Sequence, residues 1–126
     1  MRLARTCYDH IAGSLGVDLH DRLITLEWLV SSSNDERNSY ELTPKGARSL
    51  QALGLNLDAV HAARRRFAFA CLDWSERRAH IGGGLGAALL VFALEKKWVS
   101  RQRGTRALQI TGIGRRAMLA ELGLRV

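Results

Sequence analysis

The chain has 126 residues, 47% of them hydrophobic and 25% charged, with a formal net charge of +7. That length accommodates one domain or two small units sharing a core, and the ordinary composition excludes a disordered or fibrous chain. The basic excess permits a polyanion such as nucleic acid as partner without requiring one, and the longest apolar run, residues 82–94, falls short of the roughly 20 residues that cross a bilayer.

The opening residues Met1-Arg2-Leu3-Ala4-Arg5 lead into polar sequence rather than the apolar core of a secretory signal. A cytoplasmic location is therefore expected, with Cys7 and Cys71 reduced rather than bridged. Residues 3–14 read as a helix with Leu3, Cys7, Tyr8 and Ile11 on one face, interrupted by Gly13 and Gly16. Residues 18–29 read as a second helix whose apolar stripe is Leu19, Leu23, Leu26 and Val30. Residues 31–38 carry turn chemistry between two short strands. Thr43 caps the next helix with Pro44 in its first position, and Gly54 supplies a left-handed end.

Leu57-Asp58 can start a short helix in the stretch that follows, which ends in the basic cluster Arg64-Arg65-Arg66. Residues 67–74 are expected to be helical, with Ser75 as the cap of a further helix that weakens at Gly82-Gly83-Gly84. Residues 85–98 form the most hydrophobic helix. Residues 100–110 read as a hairpin turning at Gly104, with Arg101, Arg103 and Arg106 near its tip, and residues 111–122 as the closing helix.

The two halves repeat. His10-Ile-Ala-Gly-Ser-Leu-Gly16 matches His80-Ile-Gly-Gly-Gly-Leu-Gly86, Trp28 matches Trp98, Thr43 to Gly46 matches Thr111 to Gly114, and Leu53-Gly-Leu55 matches Leu122-Gly-Leu124. The expected fold is α+β and mainly helical. Two tandem winged-helix-like units, 1–55 and 71–126, pack together across a linker at 56–70 that carries a short helix. In each unit a helix-turn-helix precedes a two-strand wing and a closing helix.

The groove helix of such a unit must offer hydrogen-bonding side chains to base edges. Residues 85–94 offer none, and exposing Leu89, Leu90, Val91 and Phe92 would cost about 1.5–3 kcal/mol each. Burial against the sister unit or a second chain is expected instead. The first unit's counterpart carries Asp18, Asp21 and Glu27, which repel phosphate. Phosphate contact is left to Arg101, Arg103 and Arg106, whose competing reading is a solvated turn.

The segments CYDHIAG (7–13), YELTPKG (40–46), CLDWSERRAHIGGGLGAALL (71–90), KKWV (96–99) and ALQITGIGRRAM (107–118) resemble the carboxy-terminal half of a bacterial group of ArsR-type (arsenic-repressor) winged-helix transcriptional regulators. Departures are modest: Ala79 stands where proline is expected, and Gly112 replaces the proline seen at Pro44. The resemblance implies a homodimer in which an amino-terminal winged helix, not recognisable here, binds operator DNA and lets go when an inducer binds. This chain would then be the effector-sensing and dimerisation part. The alternatives are a self-contained DNA-binding protein using its basic wings and a structural dimerisation module without ligand.

For an inducer, Cys7 and His10 with Cys71 and His80, joined by Asp9 and Asp73, are the residues suited to a thiophilic or borderline ion such as Zn²⁺, Cd²⁺ or Pb²⁺. Their spacing is not a known zinc pattern. The competing reading makes the cysteines buried hydrophobes, the histidines hydrogen-bonding partners in the seam between the units, and the aspartates helix caps or partners of Arg77 or Arg78. A small organic inducer would instead need a pocket lined by Tyr8, Trp74, Phe92 and Trp98. No phosphate loop, nucleophile elbow or zinc-protease motif is present, and the glycines at 82–86 follow no expected strand, so catalysis is not expected.

Overall fold

A computed structural model of the chain describes residues 3–32 and 38–126. The fold is mixed helix and strand. In order it runs β1 (Arg5–Cys7), β2 (His10–Ala12), α1 (Gly13–Thr25), β3 (Leu29–Ser31), β4 (Tyr40–Leu42), α2 (Pro44–Leu53) and α3 (Leu57–Ala62), then β5 (Phe69–Asp73), β6 (Arg78–Gly82), α4 (Gly83–Glu95), β7 (Val99–Arg101), β8 (Leu108–Ile110) and α5 (Gly112–Leu122). Consecutive strands pair antiparallel as four two-stranded hairpins.

The later part of each half is as expected from sequence. Thr43 and Thr111 cap α2 and α5 by accepting the N–H of Gly46 and Gly114, both at 2.9 Å. Gly54 ends α2 in the left-handed region, with φ 119°. The β7–β8 hairpin turns at Gly104, and α3 starts at Leu57. Of the turn expected at 31–38, residues 33–37 lie outside the described residues.

The first part of each half is different. Residues 5–12 are a hairpin, not a helix, and residues 69–82 are a second, longer hairpin where helices were expected. Gly13 and Gly83 do not interrupt helices; they begin them. Ser75 caps no helix and lies in the turn between β5 and β6. Each half is thus hairpin, helix, hairpin, helix, and among the described residues a hairpin rather than a helix comes directly before α1 and α4. Three-residue strands show too little alternation to betray themselves, and the left-handed residue that turns the first hairpin is Tyr8 (φ 57°), not a glycine or asparagine.

The halves are related by an approximate two-fold that reaches individual bonds. Leu108 donates its backbone N–H to Ala4 and Thr6 to Arg106; in the other half Tyr40 donates to Ala68 and Ala70 to Asn38. Each amino-terminal hairpin therefore extends the wing of the other half. The helices cross over as well: α1 packs on β6, and α4 packs on β2. Glycine makes this possible. A Cβ on Gly16 would lie 2.4 Å from the Ile11 carbonyl oxygen and 3.3 Å from His80 Cβ; one on Gly86 would lie 2.3 Å from the Ile81 oxygen and 3.1 Å from His10 Cβ. This mutual packing of like surfaces has the form of an isologous dimer built within one chain.

One apolar core runs through both halves, including Leu15, Leu23, Leu29 and Leu50 from the first and Leu85, Leu90, Val99 and Met118 from the second. Leu89, Leu90 and Phe92 are buried within it as expected, but Val91, on the outer face of the same helix, is 52% exposed. No helix among the described residues is long and apolar enough to cross a membrane.

Candidate functional site

The cross-over places two equivalent strand pairs face to face. Cys7 stands opposite His10 in the first hairpin, and Cys71 stands opposite His80 in the second. The thiol and imidazole are therefore neighbours across a hairpin, not along a helix face. Because each hairpin lies beneath the other half's helix, the four side chains converge. One ligand atom from each of Cys7, His10, Cys71 and His80 lies within 4.8 Å of all the others. The histidines are buried and the cysteines half-buried.

The two imidazoles meet through their Nε2 atoms at 3.0 Å. Their other nitrogens each face a carboxylate at 3.2 Å: His10 Nδ1 meets Asp9, and His80 Nδ1 meets Asp73. An ionised carboxylate can only accept, so each Nδ1 carries the hydrogen. With both rings neutral the two Nε2 atoms face one another as acceptors, so the contact takes either a shared proton or a bound metal ion between them. Carboxylates at the far nitrogens of paired histidines are also how metal-ligating imidazoles are commonly held and oriented.

Asp73 is the best-anchored of these groups. Its side chain is fully buried, and it accepts from Arg5 at 2.9 Å, from the Ser75 hydroxyl at 2.7 Å and from the backbone N–H groups of Gly13, Ser75 and Glu76. Burial alone would raise its pKa, but the hydrogen bonds from Ser75, Gly13, Glu76 and Arg5 outweigh burial and hold it well below the usual carboxylate range. Asp9 is more exposed and is paired with Arg65 at 2.7 Å. Burial opposes its ionisation too, and the bonds from Arg65 and His10 prevail. So the carboxylates of Asp73 and Asp9 are partnered by Arg5 and Arg65, which did not stand out in sequence as site residues, and not by the side chains of Arg77 or Arg78. Arg78 pairs instead with Asp21.

Burial, with some opposing charge from His10, lowers His80 to about 4 despite Asp73. Burial and the neighbouring Cys7 push the Cys71 thiol up to about 11. The site thus disfavours both a proton on His80 and a thiolate on Cys71, as burial of either charge requires.

The other residues singled out in sequence do not join this cluster. Tyr8 and Trp74 are 90% and 83% exposed at the tips of the two amino-terminal hairpins. Phe92 is buried and packs edge-to-face on Trp98 at 5.1 Å, as part of the core. These four aromatic residues therefore form no common pocket. Arg101, Arg103 and Arg106 are exposed on the β7–β8 hairpin. The glycines at 82–86 do follow a strand, contrary to expectation. Their loop still forms no phosphate cradle, because Gly84 and Leu85 give their N–H groups to the carbonyls of Arg66 and Phe67.

No protein-family model matches the chain, and no solved structure matches it. The chain is 41% identical over all 126 residues to the uncharacterized HTH-type transcriptional regulator YdfF of Bacillus subtilis (strain 168). It spans about half the length of that curated relative, 54%.

Proposed function

We propose that this chain is the effector-sensing and dimerisation part of an ArsR-type transcriptional regulator. It acts in the cytoplasm as a binding module rather than an enzyme, and it passes inducer binding to a DNA-reading winged helix elsewhere in the regulator. Similarity along the whole chain to an HTH-type regulator supports the regulatory role. The observation that carries the sensing role is the convergence of one Cys–His pair from each half on the seam between them. A ligand held there touches both halves at once, so its binding changes how they are held together.

The helix that would enter a groove in each half is committed elsewhere. In α4, Leu89, Leu90 and Phe92 are buried, and α1 presents Asp18 and Asp21. What each half keeps is a helix–wing–helix order, which we read as a winged helix diverted from DNA to packing. Exchanging this chain for the matching segment of the Bacillus subtilis relative, with an operator-driven reporter as readout, tests the proposal. The chimera is expected to keep regulated expression, and deletion of the segment to abolish it. A reporter indifferent to the deletion would overturn the reading.

A second reading, direct phosphate contact through the wing, is favoured by the exposure of Arg101, Arg103 and Arg106 together on one hairpin. It predicts that this chain alone shifts random duplex DNA at low salt and loses the duplex steeply as salt rises. Sedimentation tests the homodimer; a monomer at high concentration would remove it.

A further inference from the structure

We propose that Cys7, His10, Cys71 and His80 form a tetrahedral two-sulfur, two-nitrogen site for a borderline divalent cation of the Zn²⁺ or Cd²⁺ class, bound on the approximate two-fold between the halves. This deepens the sensing reading by naming the effector's chemistry, and it rests on that reading only for its regulatory consequence.

Three observations carry it. The first is the donor set. Two thiols and two imidazoles within 4.8 Å of one another match the ligands and number of a closed tetrahedral zinc site. Nitrogens bound to zinc at about 2.0–2.1 Å lie about 3.3 Å apart at tetrahedral angles; the His10 and His80 Nε2 atoms are already 3.0 Å apart. The second is the hydrogen inventory. Asp9 and Asp73 face the two Nδ1 atoms, and the two Nε2 atoms face each other at 3.0 Å, where either a shared proton or a bound metal ion can sit between them. The third is charge. Two thiolates cancel a divalent ion, while Arg5 and Arg65 offset Asp73 and Asp9, so the loaded cluster is neutral as a whole. Binding is a simple exchange: the ion enters, two metal–sulfur and two metal–nitrogen bonds form, and the two thiol protons leave to solvent, with no change of oxidation state. Hard ions such as Mg²⁺ and Ca²⁺ are disfavoured, because the ligand set offers them no oxygen.

The test titrates Co²⁺ into the reduced, chelator-treated chain. The expected result is one equivalent per chain, with the d–d absorption of tetrahedral cobalt and a thiolate-to-cobalt charge-transfer band, both bleached by Zn²⁺. Cys7→Ser and Cys71→Ser should each remove about half the charge-transfer intensity, and His10→Gln and His80→Gln should each weaken binding about 100-fold or more. Circular dichroism checks that the variants fold, and the unsubstituted chain answers the question without them. Octahedral cobalt with no charge-transfer band, or full binding in both cysteine variants, would overturn the site. The reporter chimera separates the two proposals. Tight cobalt binding with a metal-indifferent reporter upholds the site and overturns sensing. A regulated reporter with no cobalt spectrum overturns the site and leaves sensing to another inducer.

Discussion

The carboxylate of Asp73 accepts the backbone N–H of Gly13 at 2.7 Å, across the seam between the halves. Helix α1 begins at Gly13, and its own N-cap residue, Ala12, has no side chain to cap with. The first turn of α1 is thus capped by the other half, where a carboxylate also suits the positive end of the helix. The same carboxylate orients His80 and pairs with Arg5. Asp73→Ala is accordingly expected to destabilise the metal-free protein by about 3–5 kcal/mol, the range for stripping one partner from a buried ionic network. Asp73→Asn, which keeps an acceptor oxygen, should cost less. Asp9→Ala removes a carboxylate whose side chain is 32% exposed and paired with a similarly exposed Arg65, and it should cost under about 1 kcal/mol. Urea denaturation of the three variants checks this order.

Asp73 also shows where sequence reasoning stopped. The caps Thr43 and Thr111, the hairpin at Gly104 and the buried α4 all depend on residues within a few positions of one another, so local chemistry displays them. The two Cys–His pairs were visible as a repeat of residue types, at Cys7/His10 and Cys71/His80. Their mode of association was hidden, because it depends on β1 and β5 being strands and on each hairpin crossing to the other half. The spacing between equivalent residues changes within the repeat, from 64 at Cys7 and Cys71 to 70 at His10 and His80, because the second hairpin is longer. That change obscures the correspondence of the strands. The contacts of Arg5 with Asp73 and of Arg65 with Asp9 join residues 68 and 56 positions apart, and no local pattern announces them.

The repeat itself makes a stability prediction at Gly112. Thr43, before Pro44, has φ −73° and ψ 162°, and Thr111, before Gly112, has φ −83° and ψ 165°. Both are the extended conformation that a following proline requires. Gly112 is the first residue of α5, where the N–H has no partner within the helix. Gly112→Pro should therefore stabilise the protein by about 0.4–1 kcal/mol through the unfolded chain. Gly86→Ala should do the reverse. Its Cβ would lie 2.3 Å from the Ile81 carbonyl oxygen, which is backbone and cannot swing away. A loss of about 1–3 kcal/mol or more is expected, and thermal denaturation of the two variants reads both signs.

One polar pair breaks the two-fold. His20 bonds the Tyr40 hydroxyl at 2.7 Å, where the equivalent positions of the second half are Leu90 and Leu108. Burial, reinforced by the Arg78 charge, lowers the His20 pKa below its ordinary 6.5. The folded protein then binds this proton less readily than the unfolded chain, so acid favours unfolding. The contribution of neutral His20 is complete above pH 6.5 and is lost as the pH falls from there toward the depressed folded value. Replacing both residues by leucine, as in the sister half, should flatten that part of the stability–pH curve at little cost in stability at neutral pH. Tyr40→Phe alone should cost about 1 kcal/mol by leaving the buried His20 Nε2 unpaired. Urea midpoints between pH 5 and 8 distinguish these outcomes.

A cation at the cluster would bind the folded state and tie β1–β2 to β5–β6, so its effect on stability follows from mass action. At a free metal concentration 100 times Kd, linkage gives about 2.7 kcal/mol. For a chain of this size that raises Tm by roughly 10 °C, and a competing chelator should reverse it. The four ligands come from both hairpins, so at the same free metal concentration loss of a ligand in either half should leave only a small part of the shift. Cys7→Ser and His80→Gln are therefore expected to melt at temperatures that respond only weakly to Zn²⁺. Arg101→Ala should retain the full shift, because Arg101 is exposed on β7 and is not one of the four clustered ligands. A full zinc shift that survives His80→Gln would mean that the ion stabilises the protein from somewhere other than the seam.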